Sequence, residues 1–162
     1  KPAAQNHRGE KVAVMATPLT LHEEKFKQLV KRYENLATII PVPCPDLVEY
    51  VEKGILEGPE LEGYLKDVLK PCLQEGVKAV VLGCTHFPLV KAAIGKVVGE
   101  SVRIYDGGEG TARQAKCLLA AKNLCTDQEK GHICFESSAP EKEAYYEALY
   151  RKAAHIDSRV KL

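Results

Sequence analysis

The sequence lacks an excess of charge of either sign, and it lacks long apolar runs. Its 162 residues carry 23 basic and 22 acidic side chains, for a formal net charge of +1. Nucleic-acid-binding proteins usually cluster Lys and Arg on one face, so this balance argues against a nucleic-acid partner. No apolar run reaches the roughly 20 residues that span a bilayer, and the polar first ten residues contain no signal-peptide core. We therefore expect a cytoplasmic protein with no membrane partner.

The chain also lacks a methionine at its first position. Its one methionine, Met15, lies inside an apolar run. This start predicts either a processed protein or a piece of a longer one. Hydrophobic residues make up 45% of the chain and charged residues 28%, which is typical of a globular protein with its own core.

Metal-binding patterns are missing as well, although six cysteines are present. No two cysteines have C-x-x-C spacing, and no such pair precedes paired histidines, so no metal site is predicted. Without an export signal, disulfides are not expected either. Most of the cysteines are expected to be small buried hydrophobic residues, and only Cys84 has a sequence context that suggests chemistry. The six are Cys44, Cys72, Cys84, Cys117, Cys125 and Cys134.

Strand-like and helix-like segments alternate along the chain, which predicts an α/β fold with a mostly parallel sheet flanked by helices. The strongest strand signal is Val77–Gly83, because it is continuous and β-branched, as buried parallel strands are. A T-x-x-E capping box at Thr20 and Glu23 is predicted to begin a helix. Other strands are predicted at 11–16, 38–42, 102–105 and 132–136, and helices at 21–33, 46–54, 60–75, 88–98, 111–123 and 141–154.

Ligands of such sheets bind beyond the carboxyl ends of the strands, which points to the loops at 17–20, 43–45, 84–88 and 106–110. Cys84 lies where the buried strand ends and a helix is predicted to begin. A thiol at a helix N-terminus favours thiolate, a useful base or nucleophile, and His86 could tune it. The alternative interpretation is a buried cysteine beside a histidine that caps the helix.

The Gly-rich loop Asp106–Gly110 fits no phosphate-binding fingerprint and is interpreted as a tight turn.

Residues 81–88 read V-L-G-C-T-H-F-P and closely resemble the signature around the second catalytic cysteine of glutamate racemases, L-G-C-T-H-Y-P. The departure at Phe87 exchanges one aromatic residue for another. Further segments are similar to that family in the right order, namely 15–20, 44–54 and 106–112. The family's early D-S-G-x-G-G and N-T-A-S-A motifs, with its first catalytic cysteine, do not occur. The resemblance therefore implies an N-terminally truncated racemase.

The resemblance implies a division of the chain. Residues 1–102 would form the second of the two similar racemase α/β domains, which carries Cys84. Residues 103–162 would be a C-terminal segment that completes the missing first domain.

The resemblance also implies a mechanism without pyridoxal or any other cofactor. Two cysteines on opposite faces of glutamate would convert the L- to the D-enantiomer, which enters peptidoglycan. Cys84 would be one base, His86 would adjust its charge, and Glu52 matches the acidic residue nearby. Substrate-binding roles fall to Thr85, His86, Thr17 and Thr20.

Structural alternatives stay open for three of these residues. Glu52 could be a solvated carboxylate at a helix end, Thr20 a helix cap, and Thr17 the start of a turn before Pro18. An aspartate or hydantoin racemase, and a non-catalytic fragment, are the competing functions. The isolated chain is expected to be inactive, its small-molecule partner is glutamate, and a homodimer is left open.

Overall fold

The computed structural model describes residues 1–126 and 131–159, and it divides the chain into two units between Asp106 and Gly107. This division lies four residues beyond the predicted boundary at residue 102. The reason is that strand β4 (Arg103–Tyr105) pairs with its neighbour in the first unit. Whether the rest of the chain completes another domain stays a prediction. None of the described helices is both long and apolar enough to cross a membrane.

The first unit is built on a sheet of four parallel strands in the order β2-β1-β3-β4. The strands are β1 (Lys11–Ala16), β2 (Thr38–Pro43), β3 (Ala79–Leu82) and β4 (Arg103–Tyr105). All four carboxyl ends therefore meet at one edge of the sheet. This architecture confirms the predicted α/β fold with a parallel sheet.

Helices connect the strands. In the first unit they are α1 (Pro2–Asn6), α2 (Pro18–His22), α3 (Glu24–Tyr33), α4 (Leu47–Glu52), α5 (Pro59–Gln74), a 3-10 segment (Phe87–Val90) and α6 (Lys91–Val98). The second unit contains α7 (Gly108–Ala121), a 3-10 segment (Pro140–Lys142) and α8 (Glu143–Arg159).

One face of the sheet forms the main core. Alternate strand residues such as Ala13, Met15 and Val80 are completely buried there, because side chains in a strand point to opposite faces in turn. The helix α5, which packs against β2 and α6, buries a stripe with helical spacing. That stripe consists of Leu61, Leu65, Leu69 and Cys72. Each buried leucine contributes about 1.5–3 kcal/mol of hydrophobic stabilisation.

The opposite face of the sheet is covered less completely. It borders an apolar cavity of about 550 Å³ between the strands and α3. No residue of α3 is fully buried, and Leu29 on this helix is 47% exposed. The short helix α1, which the sequence did not predict, closes one side of the cavity with the buried Ala3 and Ala4.

Four local predictions were wrong. The helix expected at 21–33 is broken at Glu23, and its first part is capped by Thr17, whose Oγ1 accepts a hydrogen bond from the Thr20 N–H (3.3 Å). No capping box forms between Thr20 and Glu23. The strand expected at 132–136 has no regular structure, since a strand needs a pairing partner and none is found among the described residues. The helix α7 starts at Gly108, inside the expected turn.

Candidate active site

The candidate site lies at the carboxyl edge of the sheet, beyond the two central strands β1 and β3. Cys84 follows β3 by two residues, and Thr17 follows β1 directly. The Gly83 N–H donates to the Met15 carbonyl oxygen at 2.8 Å, which ties the start of the Cys84 loop to the neighbouring strand. Ligands of open parallel sheets bind in this position.

Gly83 is required by the close approach of these two strands. A Cβ added to Gly83 would lie 2.8 Å from the Met15 carbonyl oxygen, and backbone atoms cannot move aside as a flexible side chain can. The backbone carrying Cys84 is therefore placed at a spacing that only glycine permits.

We expect Gly83→Ala to lower the free energy of unfolding by about 1–3 kcal/mol, because the Gly83–Met15 hydrogen bond is broken or distorted. Urea unfolding of the chain measures this change. The matched control is Gly63→Ala in α5, where the added Cβ meets nothing within 4 Å. Alanine there should raise the stability by about 1 kcal/mol, as in other helix interiors. Equal effects of the two substitutions would contradict the close approach.

Three side chains form a connected series around the thiol. Cys84 Sγ lies 3.8 Å from His86 Nδ1, and His86 Nε2 lies 2.9 Å from Glu52 Oε1. Glu52 is the last residue of α4, a helix that packs against the 3-10 segment after His86. Cys84 is half-buried, and the side chains of His86 and Glu52 are 31% and 41% exposed. The carboxylate and the sulfur thus engage both ring nitrogens and orient the imidazole.

The helix that follows Cys84 begins differently from the prediction. A regular α-helix begins only at Lys91, because the four residues Phe87–Val90 form a 3-10 segment. The N-terminus of a 3-10 segment, and not that of a regular α-helix, therefore lies next to the thiol, and His86 is the side chain within reach of the sulfur. The alternative role of His86 as a helix cap is also wrong, since its side chain makes no cap hydrogen bond.

The threonines predicted to bind substrate are placed at the same edge of the sheet. Thr17 Oγ1 and Thr20 Oγ1 are 2.9 Å apart, and both residues are half-buried. Thr20 and Gly83 border the same cavity, so the loop after β1 lies beside the strand end that leads to Cys84. Thr85 is exposed next to the thiol. The substrate-binding roles of Thr17, Thr20 and Thr85 stay predictions.

One ion pair of the first unit was not predicted from the sequence. Lys91 Nζ donates to Asp106 Oδ2 at 3.0 Å, and the two side chains are 25% and 20% exposed. The pair links the start of α6 to the residue that follows β4. Asp106 lies in the loop that the sequence predicts to be a tight turn. Nothing in the sequence distinguishes Lys91 from other surface lysines.

Within residues 1–126 and 131–159, no cluster of three His, Cys, Asp or Glu residues could hold a metal ion.

Two other cysteines of the first unit are structural. Cys44 and Cys72 are buried, and their thiols donate to the carbonyl oxygens of Val42 (3.4 Å) and Leu69 (3.1 Å). Burial raises the pKa of the Cys44 thiol from 9.0 to about 12, because the charged thiolate is disfavoured away from water. It raises the pKa of Cys72 as well.

We expect Cys44 to resist iodoacetamide at pH 9 in the folded chain and to react once urea unfolds it. The folded-state pKa lies above the unfolded value, so burying the neutral thiol stabilises the fold below about pH 9, and this contribution is lost as pH rises towards 12. Mass spectrometry of labelled peptides measures the reaction, and the exposed Cys117 is the control that labels in both states. Labelling of both cysteines at equal rates in the folded chain would contradict the burial.

The chain is similar in sequence to proteins of a known family. A family model described as Asp/Glu/Hydantoin racemase matches residues 2–115. A glutamate racemase from Clostridium kluyveri is 46% identical over 130 residues, which cover 80% of this chain and 50% of that protein. One from Clostridium perfringens is 42% identical over 143 residues, covering 88% and 55%. The chain therefore spans about half the length of these curated relatives.

Solved structures of glutamate racemases share the fold. The Escherichia coli enzyme in complex with L-glutamate and an activator, UDP-MurNAc-ala, superposes with a TM-score of 0.74 at 29% identity, covering 94% of this chain and 58% of that one. The Francisella tularensis enzyme in complex with D-glutamate gives 0.65 at 26% identity, covering 79% and 49%. Since the family model spans well over half of the sequence and the fold agrees, the chain belongs to the Asp/Glu/hydantoin racemase family.

Proposed function

We propose that this chain takes part in the cofactor-independent racemisation of glutamate, with Cys84 as one of two proton-transfer cysteines. The observation that carries the proposal is the series Cys84–His86–Glu52 at the ligand-binding edge of the sheet. D-glutamate made in this way would serve peptidoglycan synthesis in the cytoplasm. The 42–46% identity to glutamate racemases supports glutamate as the substrate.

Racemisation needs a base that removes the α-proton from one face of the substrate and an acid that returns a proton to the other. The Cys84 thiolate would act as the base for one enantiomer and its thiol as the acid for the other. His86 can take the proton from the sulfur through Nδ1, and the Glu52 carboxylate stabilises the imidazolium that results. Positioned acid–base groups of this kind contribute about 10²- to 10⁴-fold in rate.

The base for the opposite face has to come from outside the first unit. Cys44 and Cys72 are buried, so Cys84 is the one cysteine in Lys1–Asp106 that is not buried. We propose that a second cysteine, carried by polypeptide beyond this unit, faces Cys84 across the substrate. The segment from Gly107 onward would then belong to the domain that carries it. Without that domain the isolated chain should not racemise glutamate.

Groups that could hold the substrate surround the thiol. In the described part of the chain, no group accepts a hydrogen bond from the backbone N–H of Cys84, Thr85 or His86. These donors and the Thr85 hydroxyl could bind the α-carboxylate of glutamate, since a carboxylate accepts several hydrogen bonds at once. Thr17 and Thr20 would contact the substrate from the end of β1. The bound substrate would thereby be held with its α-carbon next to the sulfur.

The test uses a chimaera in which this chain replaces the matched segment of the Clostridium kluyveri glutamate racemase. We expect the chimaera to racemise L- and D-glutamate and the isolated 162-residue chain to leave both unchanged, as circular dichroism can follow. Aspartate and hydantoins are offered in parallel. If the chimaera converts aspartate or a hydantoin but not glutamate, the proposed substrate is wrong. Racemisation by the isolated chain would refute the need for a second domain.

A further inference from the structure

The order of the three side chains around the thiol suits a second kind of reaction. We propose that Cys84, His86 and Glu52 act as nucleophile, base and orienting carboxylate in transferring small activated acyl groups from esters or thioesters to water. This reaction needs only one thiol. It is therefore open to the isolated chain and does not depend on racemisation.

Nucleophilic catalysis requires a base within reach of the nucleophile and a third group that fixes the base. Both contacts are present. The 3.8 Å from Cys84 Sγ to His86 Nδ1 allows a hydrogen bond to a large sulfur atom, and the 2.9 Å from His86 Nε2 to Glu52 Oε1 is a strong hydrogen-bond distance. The imidazole cannot turn without losing one of the two. Unrelated cysteine hydrolases use a thiol, an imidazole and an orienting polar group in the same order.

The surroundings of the thiol also meet the needs of acyl transfer. Cys84 is half-buried, but the residues on either side, Gly83 and Thr85, are exposed, so a small acyl donor can reach the sulfur. The backbone N–H groups of Cys84, Thr85 and His86 have no acceptor among the described residues. Such donors can stabilise the oxyanion of a tetrahedral intermediate that forms beside the sulfur.

The chemical steps balance without an oxidant, a metal or a second thiol. His86 Nδ1 takes the proton from the Cys84 thiol as the sulfur attacks the acyl carbon. A new carbon–sulfur bond to Cys84 forms, and the bond from the acyl carbon to the leaving oxygen of the ester, or the leaving sulfur of the thioester, breaks. His86 returns the proton to that leaving group. Water then attacks the thioester and gives a proton to His86. The carbon–sulfur bond breaks, the carboxylic acid leaves, and the proton on His86 restores the thiol.

The chain contains its own reference thiols. Cys117, Cys125 and Cys134 are exposed, and the described part of the chain offers none of them a histidine or other side-chain partner. They report the reactivity of an ordinary accessible cysteine in the same sample. Cys44 and Cys72 are buried and report whether the fold has opened.

The experiment treats the 162-residue chain with p-nitrophenyl acetate, follows p-nitrophenol release, and maps acetylation of each cysteine by mass spectrometry over time. We expect Cys84 to be acetylated about 10²-fold faster than the three exposed cysteines, in line with the rate that a positioned base supplies. Release should exceed the total acetyl groups bound to the chain, because water regenerates the Cys84 thiol. His86→Gln should reduce acetylation of Cys84 to the reference rate, whereas Cys117→Ser should leave it unchanged.

Acetylation of Cys84 at the rate of the exposed cysteines would overturn the proposal, and this comparison requires no variant. Release no larger than the total acetylation of the chain would overturn the hydrolytic step, and an unchanged rate in His86→Gln would overturn the role of the imidazole. Unlabelled Cys44 and Cys72 verify that the chain is folded. None of these outcomes bears on racemisation by the chimaera, so the two proposals fail separately.

Discussion

Replacing Cys84 by alanine in the chimaera lowers the rate of glutamate racemisation by about 10²- to 10⁴-fold, the contribution of a positioned acid–base group. In the proposed mechanism, the change removes one of two proton carriers and leaves one face of the α-carbon without a base. Both directions slow down, because each enantiomer needs one base to lose its proton and the other to receive one. Circular dichroism, started from pure L- and from pure D-glutamate, measures the two rates.

Cys117→Ala in the same chimaera is the control, because Cys117 is exposed on α7 and has no proposed part in the chemistry. Its rates should equal those of the unchanged chimaera. His86→Gln should give an intermediate rate with a shifted pH profile, since the imidazole acts through the thiol. Racemisation at the full rate in Cys84→Ala would exclude the thiol from proton transfer.

Phe87→Ala should lower the free energy of unfolding of the chain by about 3–5 kcal/mol, as other truncations of fully buried aromatic residues do. Phe87 is completely buried, and it lies in the turn that joins the Cys84 loop to α6. Its removal leaves a cavity under the residues that position the thiol. Chemical denaturation with urea, analysed as a two-state transition, measures the change.

The matched control is Leu19→Ala, which removes a similarly apolar side chain that is 74% exposed. Exposed substitutions of this kind usually change stability by less than about 0.5 kcal/mol. A loss from Phe87→Ala no larger than that from Leu19→Ala would mean that the turn is not packed as the structure describes it.

The sheet could be predicted from the sequence because burial leaves a strong local pattern. The strand β3 is continuous and apolar, since a central parallel strand is covered on both faces. The ends of two helices, at Gly54 and Gly76, could also be predicted from the sequence. Both glycines have positive φ (71° and 77°), which side chains with a Cβ disfavour. The strand and the two helix ends depend on residues that are close together in the sequence, so the sequence alone was sufficient to predict them.

The errors fall where structure depends on partners distant in sequence. Residues 133–135 form a short apolar run suited to a strand, but strand formation needs backbone hydrogen bonds from another strand. The break at Glu23 divides a segment whose helical periodicity looks continuous, because Thr17 caps a short helix before it. The spacing of the charged residues likewise did not predict the ion pair between Lys91 and Asp106.

The candidate site was predictable in part. The motif around Cys84 is local, and resemblance to the racemases added Glu52, which is 34 positions from His86 in sequence. The 2.9 Å contact between the two depends on α4 packing against the 3-10 segment, which no local pattern encodes. The regular α-helix expected directly after the Cys84 loop begins only at Lys91, because the chain first makes a 3-10 turn.

The most direct test of Cys84 as a base for one face of glutamate is hydrogen exchange in D₂O. The Cys84→Ala chimaera is given each enantiomer separately, and NMR follows loss of the α-hydrogen. One enantiomer should exchange with retention of configuration, because the remaining cysteine removes and returns its proton, while the other should not exchange. Exchange of both enantiomers at the rates of the unchanged chimaera would contradict the account.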